Sequence, residues 1–239
     1  EVPFLYRVHE KPETEKLEKL KIFLRSFGIM LRGNRSSIHP RAISSILEQV
    51  KGKTCENVVS SVTLRSMQKA YYSTSCEGHF GLALKYYCHF TSPIRRYPDL
   101  FVHRTIKAYL NGMPGPSAAR AADAAQISSD REICAQTAER RIEALYMALW
   151  MREHLGEEFD AAVSGVSRFG VFCRTEMLCE GLIPAISLGD VTEYNERTFT
   201  LTVNTGRGVR IFRLGERLKV RAEAADAISA KITFSLVEP

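Results

Sequence analysis

The apolar pattern changes at Gly156, and no single helical or all-β fold accommodates both sides of the change. After it come five short β-type runs, 159–166, 170–173, 181–183, 218–224 and 231–236, separated by Gly, Asp and Asn. Runs of that length, bounded by turn residues, predict a small barrel. Before the change, apolar residues recur at helical spacing. Leu17, Leu20, Leu24 and Phe27 form one stripe, stopped by Gly28. Ile43, Ile46, Leu47 and Val50 form a second, opened by Pro40 and ended by Gly52, and Val58, Val59, Val62, Ser66 and Met67 a third, in a helix from about Cys55 to Ala70. Short strands are expected at 2–8 and at Leu82–Tyr87, and a helix from Pro98 to Asn111. The Ala-rich stretch from Ser117 to Glu153 predicts one long helix or a helix pair. The fold class that follows is α+β: helices around a small sheet over 1–155, then a five-stranded barrel over 156–239.

Charge divides at the same place. Residues up to Leu155 hold 23 basic and 15 acidic side chains, net +8, while the remainder holds 10 and 12, net −2. A basic body favours a polyanionic partner. No apolar run approaches the roughly 18–20 residues that a membrane span needs, and the beginning, Glu1-Val2-Pro3-Phe4-Leu5-Tyr6-Arg7, lacks the layout of a signal peptide. No membrane partner is expected. The six cysteines include no Cys-x-x-Cys pair, so reduced thiols in a cytoplasmic protein without a zinc site are expected.

The densest chemical signal is His89-Phe90-Thr91-Ser92-Pro93-Ile94-Arg95-Arg96-Tyr97-Pro98-Asp99-Leu100. Each proline keeps the residue before it out of the α region, so Thr91 to Tyr97 is expected to form a stiff loop delivering two guanidiniums at a helix start. Arg forks match phosphate oxygens, and a helix N-terminus adds N–H donors of the same polarity. The same two side chains would equally pair with carboxylates and brace the loop, and spacing does not choose between these readings. His79, His89 and His103 have no metal-ligand spacing and are expected to be hydrogen-bonded structural residues. Tyr71-Tyr72 and Tyr86-Tyr87 are expected to be core and edge aromatics.

These residues, with Val102-His103-Arg104, resemble the signature of the RNB exoribonucleases, the ribonuclease II and ribonuclease R family, and the ribonuclease R branch more than the other. Glu1-Val2-Pro3, Arg7-Val8-His9, Leu64-Arg65-Ser66-Met67, Gly78-His79-Phe80-Gly81-Leu82-Ala83-Leu84 and Ala138-Glu139-Arg140-Arg141 follow in family order. The resemblance implies 3′-to-5′ hydrolysis of single-stranded RNA to nucleoside 5′-monophosphates, with Mg²⁺ held by clustered aspartates. It makes Arg95, and after it Arg96, the catalytic candidates that stabilise charge on the scissile phosphate, and Thr91, Ser92 and Tyr97 their RNA-binding neighbours. The family's aspartate cluster precedes anything matching Glu1, and no Asp-rich motif occurs here. The chain alone is therefore expected to be catalytically incomplete and to need an upstream half, on the same or a separate chain. A protein that kept the RNA-binding surfaces but lost catalysis is the alternative.

The tail resembles an S1-type RNA-binding domain with the OB fold, through Ser164-Gly165-Val166, Phe169-Gly170-Val171-Phe172, Glu180-Gly181-Leu182-Ile183 and Arg213-Leu214-Gly215-Glu216. By that likeness Phe169 and Phe172 stack on bases and Arg168 contacts phosphate. Pro184 stands where many relatives place a His. Arg207, Arg210, Arg213, Arg217, Lys219 and Arg221 form a basic run whose only acidic neighbour within it is Glu216.

Overall fold

The computed structural model describes residues 2–34, 36–53, 55–196, 198–206 and 208–237. Two compact units emerge: Glu1–Leu20, Met30–Lys51 and Val62–Gln136 form the first, and Lys21–Ile29, Gly52–Ser61 and Thr137–Pro239 the second. The α+β expectation is borne out, with helices and a two-stranded sheet preceding a closed five-stranded barrel.

In order, the first elements are β1 (Tyr6–Val8), α1 (Thr14–Ser26), α2 (Pro40–Val50), α3 (Glu56–Ser66) and β2 (Tyr71–Ser73), followed by α4 (Tyr97–Leu110) and α5 (Ala118–Arg152). Helix α1 buries Leu17, Leu20 and Leu24 as its spacing requires, and Phe23 beside them, whereas Phe27 lies past the helix end and is exposed. Gly28, at φ +71°, takes the left-handed conformation that closes that end, where the Ile29 N–H reaches back to the Leu24 carbonyl. Pro40 opens α2 as expected, with the His39 ring accepting the Arg41 N–H. The Ala-rich stretch is one unbroken helix. Near its start it contributes Ala121, Ala124 and Ala125 to a core with Leu5, Tyr72, Phe101 and Val102, small side chains that permit close approach.

The strand expected at Leu82–Tyr87 does not form. A single 3₁₀ turn occupies Phe80–Leu82, and the chain closes on itself: Leu82 and Leu84 N–H both donate to the His79 carbonyl, and Ala83 N–H to that of Phe80. Its apolar residues misled because they are not buried; Leu82, Leu84 and Tyr86 are exposed, so Tyr86 is no core aromatic. Pairing instead falls on β2, which runs antiparallel to β1 with Tyr72 opposite Arg7. A strand that short carries too few residues to show a period.

The second unit is built on β3 (Glu158–Ser167), β4 (Gly170–Thr175), β5 (Glu180–Pro184), then α6 (Ala185–Leu188), β6 (Asp190–Asn195), β7 (Thr200–Asn204), β8 (Val209–Arg213), β9 (Arg217–Asp226) and β10 (Lys231–Leu236). The barrel closes in the order β10-β5-β4-β3-β9, antiparallel except where Thr233 of β10 pairs with Leu182 of β5. All five runs read from sequence are its strands. The three-stranded sheet β6-β7-β8 was not anticipated. Inside, Val163, Val171, Cys173, Ile183, Val220 and Phe234 meet Ala148 and Met151 from the last turns of α5. Gly181 is required by contact, since a Cβ there would lie 2.5 Å from the Phe234 ring. Glu1, Arg35 and Arg207 lie outside the described residues.

Candidate functional site

Arg95 is presented by a loop tied down on the helix it precedes. With Pro93 at its second position, the turn from Ser92 is tight, and the Ser92 carbonyl accepts the N–H of Arg95 at 3.3 Å and of Arg96 at 2.9 Å. Arg96 is the N-cap of α4 at φ −122°, ψ 116°, and its side chain does not cap. Asp99, 0% exposed, accepts the Ser92 N–H at 2.7 Å and the Arg96 Nη2–H at 2.8 Å on the same oxygen, Oδ1. Burial pushes the Asp99 carboxyl up, but the Arg96 guanidinium and the Ser92 N–H outweigh it and hold it below the usual carboxylate range. The Arg96 Nε and the Asp99 Oδ2 are buried without a partner among the described residues.

The two arginines therefore differ. The Arg96 side chain is 24% exposed and held in this pair. Arg95 is exposed, and among the described residues its guanidinium makes no ion pair or hydrogen bond. Ile94 beside it is fully exposed. Thr91 is exposed, Ser92 and Pro93 are half-buried, and the Tyr97 ring is exposed with its edge toward Phe101, 6.4 Å between centroids.

Behind the loop lies a line of rings. The Tyr72 hydroxyl and His89 Nδ1 are 2.8 Å apart, Tyr87 stands edge-on to both His89 and His79, and His79 lies 5.0 Å from His9. Arg7 lies over the Tyr72 ring and forms a two-pronged pair with Glu132. The expected hydrogen bonds of the three histidines are present: His79 Nδ1 accepts the Leu82 N–H, His89 meets Tyr72, and His103 Nε2 meets the Phe90 carbonyl. Burial and the nearby His9 and Arg7 charges push the His79 imidazole down to about 4, and burial with Arg96 and Arg7 lowers His89. An unfolded chain takes up a proton on His79 near the ordinary value of about 6.5, whereas the folded chain does so only near 4. Stability should therefore fall as pH drops through that window, by about 1–2 kcal/mol after discounting for the partly exposed ring. Thermal melts of wild type and His79→Gln from pH 7 to pH 4.5 check this; the variant should lack that part of the slope, and parallel curves would refute the assignment.

In the second unit, Arg168 and Phe169 form the turn between β3 and β4, both exposed, Phe169 at 79%. Phe172 follows on β4, 37% exposed, lying across Gly165, whose Cβ would meet its ring at 3.4 Å. Gly165 thus leaves the floor on which that ring rests. The basic run is less free than its sequence implies. Arg210 lies over the Phe212 ring and pairs with Glu216, and Lys219 and Arg221 both pair with Glu158 of β3. Arg213 and Arg217 are exposed without a side-chain ion pair among the described residues.

Among the described residues no group of three or more His, Cys, Asp or Glu side chains is placed to hold a metal ion. The described residues therefore do not fit a magnesium site. The cysteines are free thiols. No helix among the described residues is long and apolar enough to cross a membrane. Spacing did not show that Asp99 takes up both Ser92 and Arg96, nor which groups the structural residues His103 and Tyr72 would bond; the one available hint was that Asp99 and His103 follow Arg96 at helical intervals on one face of α4.

Residues 1–112 match the family model described as the RNB domain. Ribonuclease R 1 of Lactococcus lactis is 38% identical over 98% of this chain, which covers 29% of that protein. Ribonuclease R of Aquifex aeolicus is 40% identical over 99% of this chain, covering 34% of it. Among solved structures, the Mycoplasma genitalium ribonuclease R in complex with ribose-methylated single-stranded RNA superposes with a TM-score of 0.89 at 25% identity, over 99% of this chain and 38% of that one. The chain spans about a third of the length of the curated relatives it matches.

Proposed function

The chain is homologous to bacterial ribonuclease R over nearly its full length, and from that premise we propose that it is the phosphate-gripping and RNA-binding part of a 3′-to-5′ exoribonuclease. The observation that carries the reading is Arg95: an exposed guanidinium without an ion pair among the described residues, on a braced loop at a helix start. Such a group has no ion pair to break before it meets a phosphate on which negative charge develops. Arg96 completes the brace and adds its charge behind. Thr91, Ser92 and Tyr97 offer hydroxyls and a ring along the same loop. Single-stranded RNA is the substrate, released as nucleoside 5′-monophosphates in the cytoplasm. Magnesium is required, its carboxylate ligands belonging to an RNB half that lies upstream of these residues.

Residues 1–155 then form the catalytic portion, and 156–239 an S1-type module that grips the strand. In that module Phe169 is the stacking residue best supported by its exposure, with Arg168 beside it for phosphate and Phe172 contributing the part of its ring that Gly165 leaves open. Phe169→Ala is expected to weaken single-stranded RNA binding by about 1–3 kcal/mol without loss of stability. Fluorescence anisotropy with labelled poly(A) at fixed salt measures it, since the phosphate contribution varies steeply with salt. A change smaller than about twofold would remove Phe169 from the binding surface.

The function is tested with 5′-labelled single-stranded RNA and Mg²⁺, using this chain alone and the same chain completed by an upstream RNB half. The completed protein is expected to shorten the RNA from its 3′ end, and the chain alone to bind without shortening it. Shortening by the chain alone would overturn the claim of incompleteness. Binding without hydrolysis by the completed protein would return the RNA-binding protein that has lost catalysis.

A further inference from the structure

The segment that carries Arg95 is held by two side chains from one face of α4. Asp99 and His103 are four residues apart, so both project from the same side of the helix. The Asp99 carboxylate accepts the Ser92 N–H at 2.7 Å, and His103 Nε2 lies 2.9 Å from the Phe90 carbonyl, which only accepts, so Nε2 carries the proton. Thr91, between the two anchored residues, is a bend in the chain. The two side chains therefore fasten the segment on both sides of that bend, His103 at Phe90 and Asp99 at Ser92. The Phe90 ring adds a parallel stack on the His103 ring, 4.2 Å between centroids and 6° between planes.

We propose that Asp99 and His103 are positioning residues, which fasten the backbone of residues 90–92 to α4 and, through the Asp99 hold on Arg96, leave Arg95 as the guanidinium that meets RNA phosphate. The part concerning Arg95 rests on the exoribonuclease reading, whereas the fastening itself does not. The geometry also separates the roles of the two side chains. Asp99 sets the turn and the state of Arg96, and His103 sets the approach of the segment from the other end. A shift of the loop by about 1 Å would take Arg95 out of reach of its target, a displacement that costs on the order of a hundredfold in rate.

The test has two arms. In the first, amide exchange is followed on this chain alone. The Ser92 amide is expected to exchange slowly in wild type and at least about tenfold faster in Asp99→Ala, with α4 amides beyond the first turn unchanged. Fast exchange at Ser92 in wild type would overturn the fastening whether or not the protein cuts RNA. In the second, the completed protein is assayed on single-stranded RNA. His103→Ala is expected to lower kcat by about tenfold or more with KM altered less than about threefold, and His103→Gln, which keeps an N–H donor, to recover most of the loss. Combining His103→Ala with Arg95→Ala should cost no more than Arg95→Ala alone, because there is then no guanidinium to position. Losses that multiply would overturn the proposal. Wild type that leaves RNA intact would instead count against the exoribonuclease reading, with the Ser92 amide still deciding the fastening. Should Asp99→Ala fail to fold, His103→Ala carries both arms, its expected mark in the first being faster exchange at Ser92.

Discussion

In the completed protein, Arg95→Ala is expected to slow nucleotide release by about 10²- to 10³-fold, or about 3–4 kcal/mol of transition-state stabilisation, with the melting temperature unchanged. The two halves of this expectation come from one geometry. Arg95 is exposed with no side-chain ion pair among the described residues, so its removal orphans nothing in the fold. On the exoribonuclease reading its guanidinium meets phosphate as a two-donor fork, so its removal takes away that donor pair. Arg95→Lys should recover little, since an ammonium keeps the charge but not the fork. Arg96→Ala should behave in the opposite way. It leaves the fully buried Asp99 carboxylate without its counter-charge, a loss of about 3–5 kcal/mol in stability. Single-turnover hydrolysis of labelled RNA, paired with thermal melts, separates the two residues. An Arg95 variant that turns over at the wild-type rate would sink the assignment.

The second large effect concerns the barrel. Gly170 has φ +142°, and a Cβ built there would lie 2.0 Å from the Ile183 carbonyl oxygen and 2.9 Å from the Ala185 nitrogen. Both neighbours are backbone on or next to the adjoining β5, where Gly170 pairs with Pro184 and the Ala185 N–H donates to the Phe169 carbonyl. No rotamer change relieves such a contact; β4 and β5 would have to part. Gly170→Ala is expected to destabilise the barrel by about 3–5 kcal/mol, combining overpacking with the left-handed backbone penalty. Urea unfolding followed by the signal of Trp150, which packs against the barrel core, measures it. A variant within about 1 kcal/mol of wild type would show that the strands separate more easily than the contact implies. Because Phe169 precedes this glycine and its carbonyl accepts the Ala185 N–H that the Cβ would displace, RNA affinity should fall together with stability.

Much of the fold is legible in the order of residues. Helices α1, α2 and α3 follow from apolar spacing, α4 from the proline and glycine that bound it, and α5 from its Ala-rich composition, because helix formation is decided over a few turns of contiguous chain. The five barrel strands follow from short β-type runs bounded by Gly, Asp and Asn. The Arg-Arg loop is legible because two prolines restrict a short stretch whatever surrounds it. The misplaced strand at 82–87 shows the limit. An aromatic-rich run satisfies the composition of a strand, but a ladder needs a partner edge, and β1 pairs with β2 instead.

What the chain alone determined, then, was element type, the change of architecture at Gly156, and a loop offering two guanidiniums at a helix start. Which guanidinium is free was decided only in three dimensions, where the Asp99 carboxylate is buried and takes up Arg96 while Arg95 faces solvent. The basic run was decided there too: Lys219 and Arg221 are answered by Glu158, which lies 63 residues from Arg221 in the chain and reaches it because β3 and β9 are neighbours in the closed barrel. The physical reason is the same in both cases. Backbone preference and apolar spacing act over a few residues and can be read in order, whereas the energy of a charge depends on its distance to every other charge and on its exposure to water, and neither quantity exists until the chain has folded.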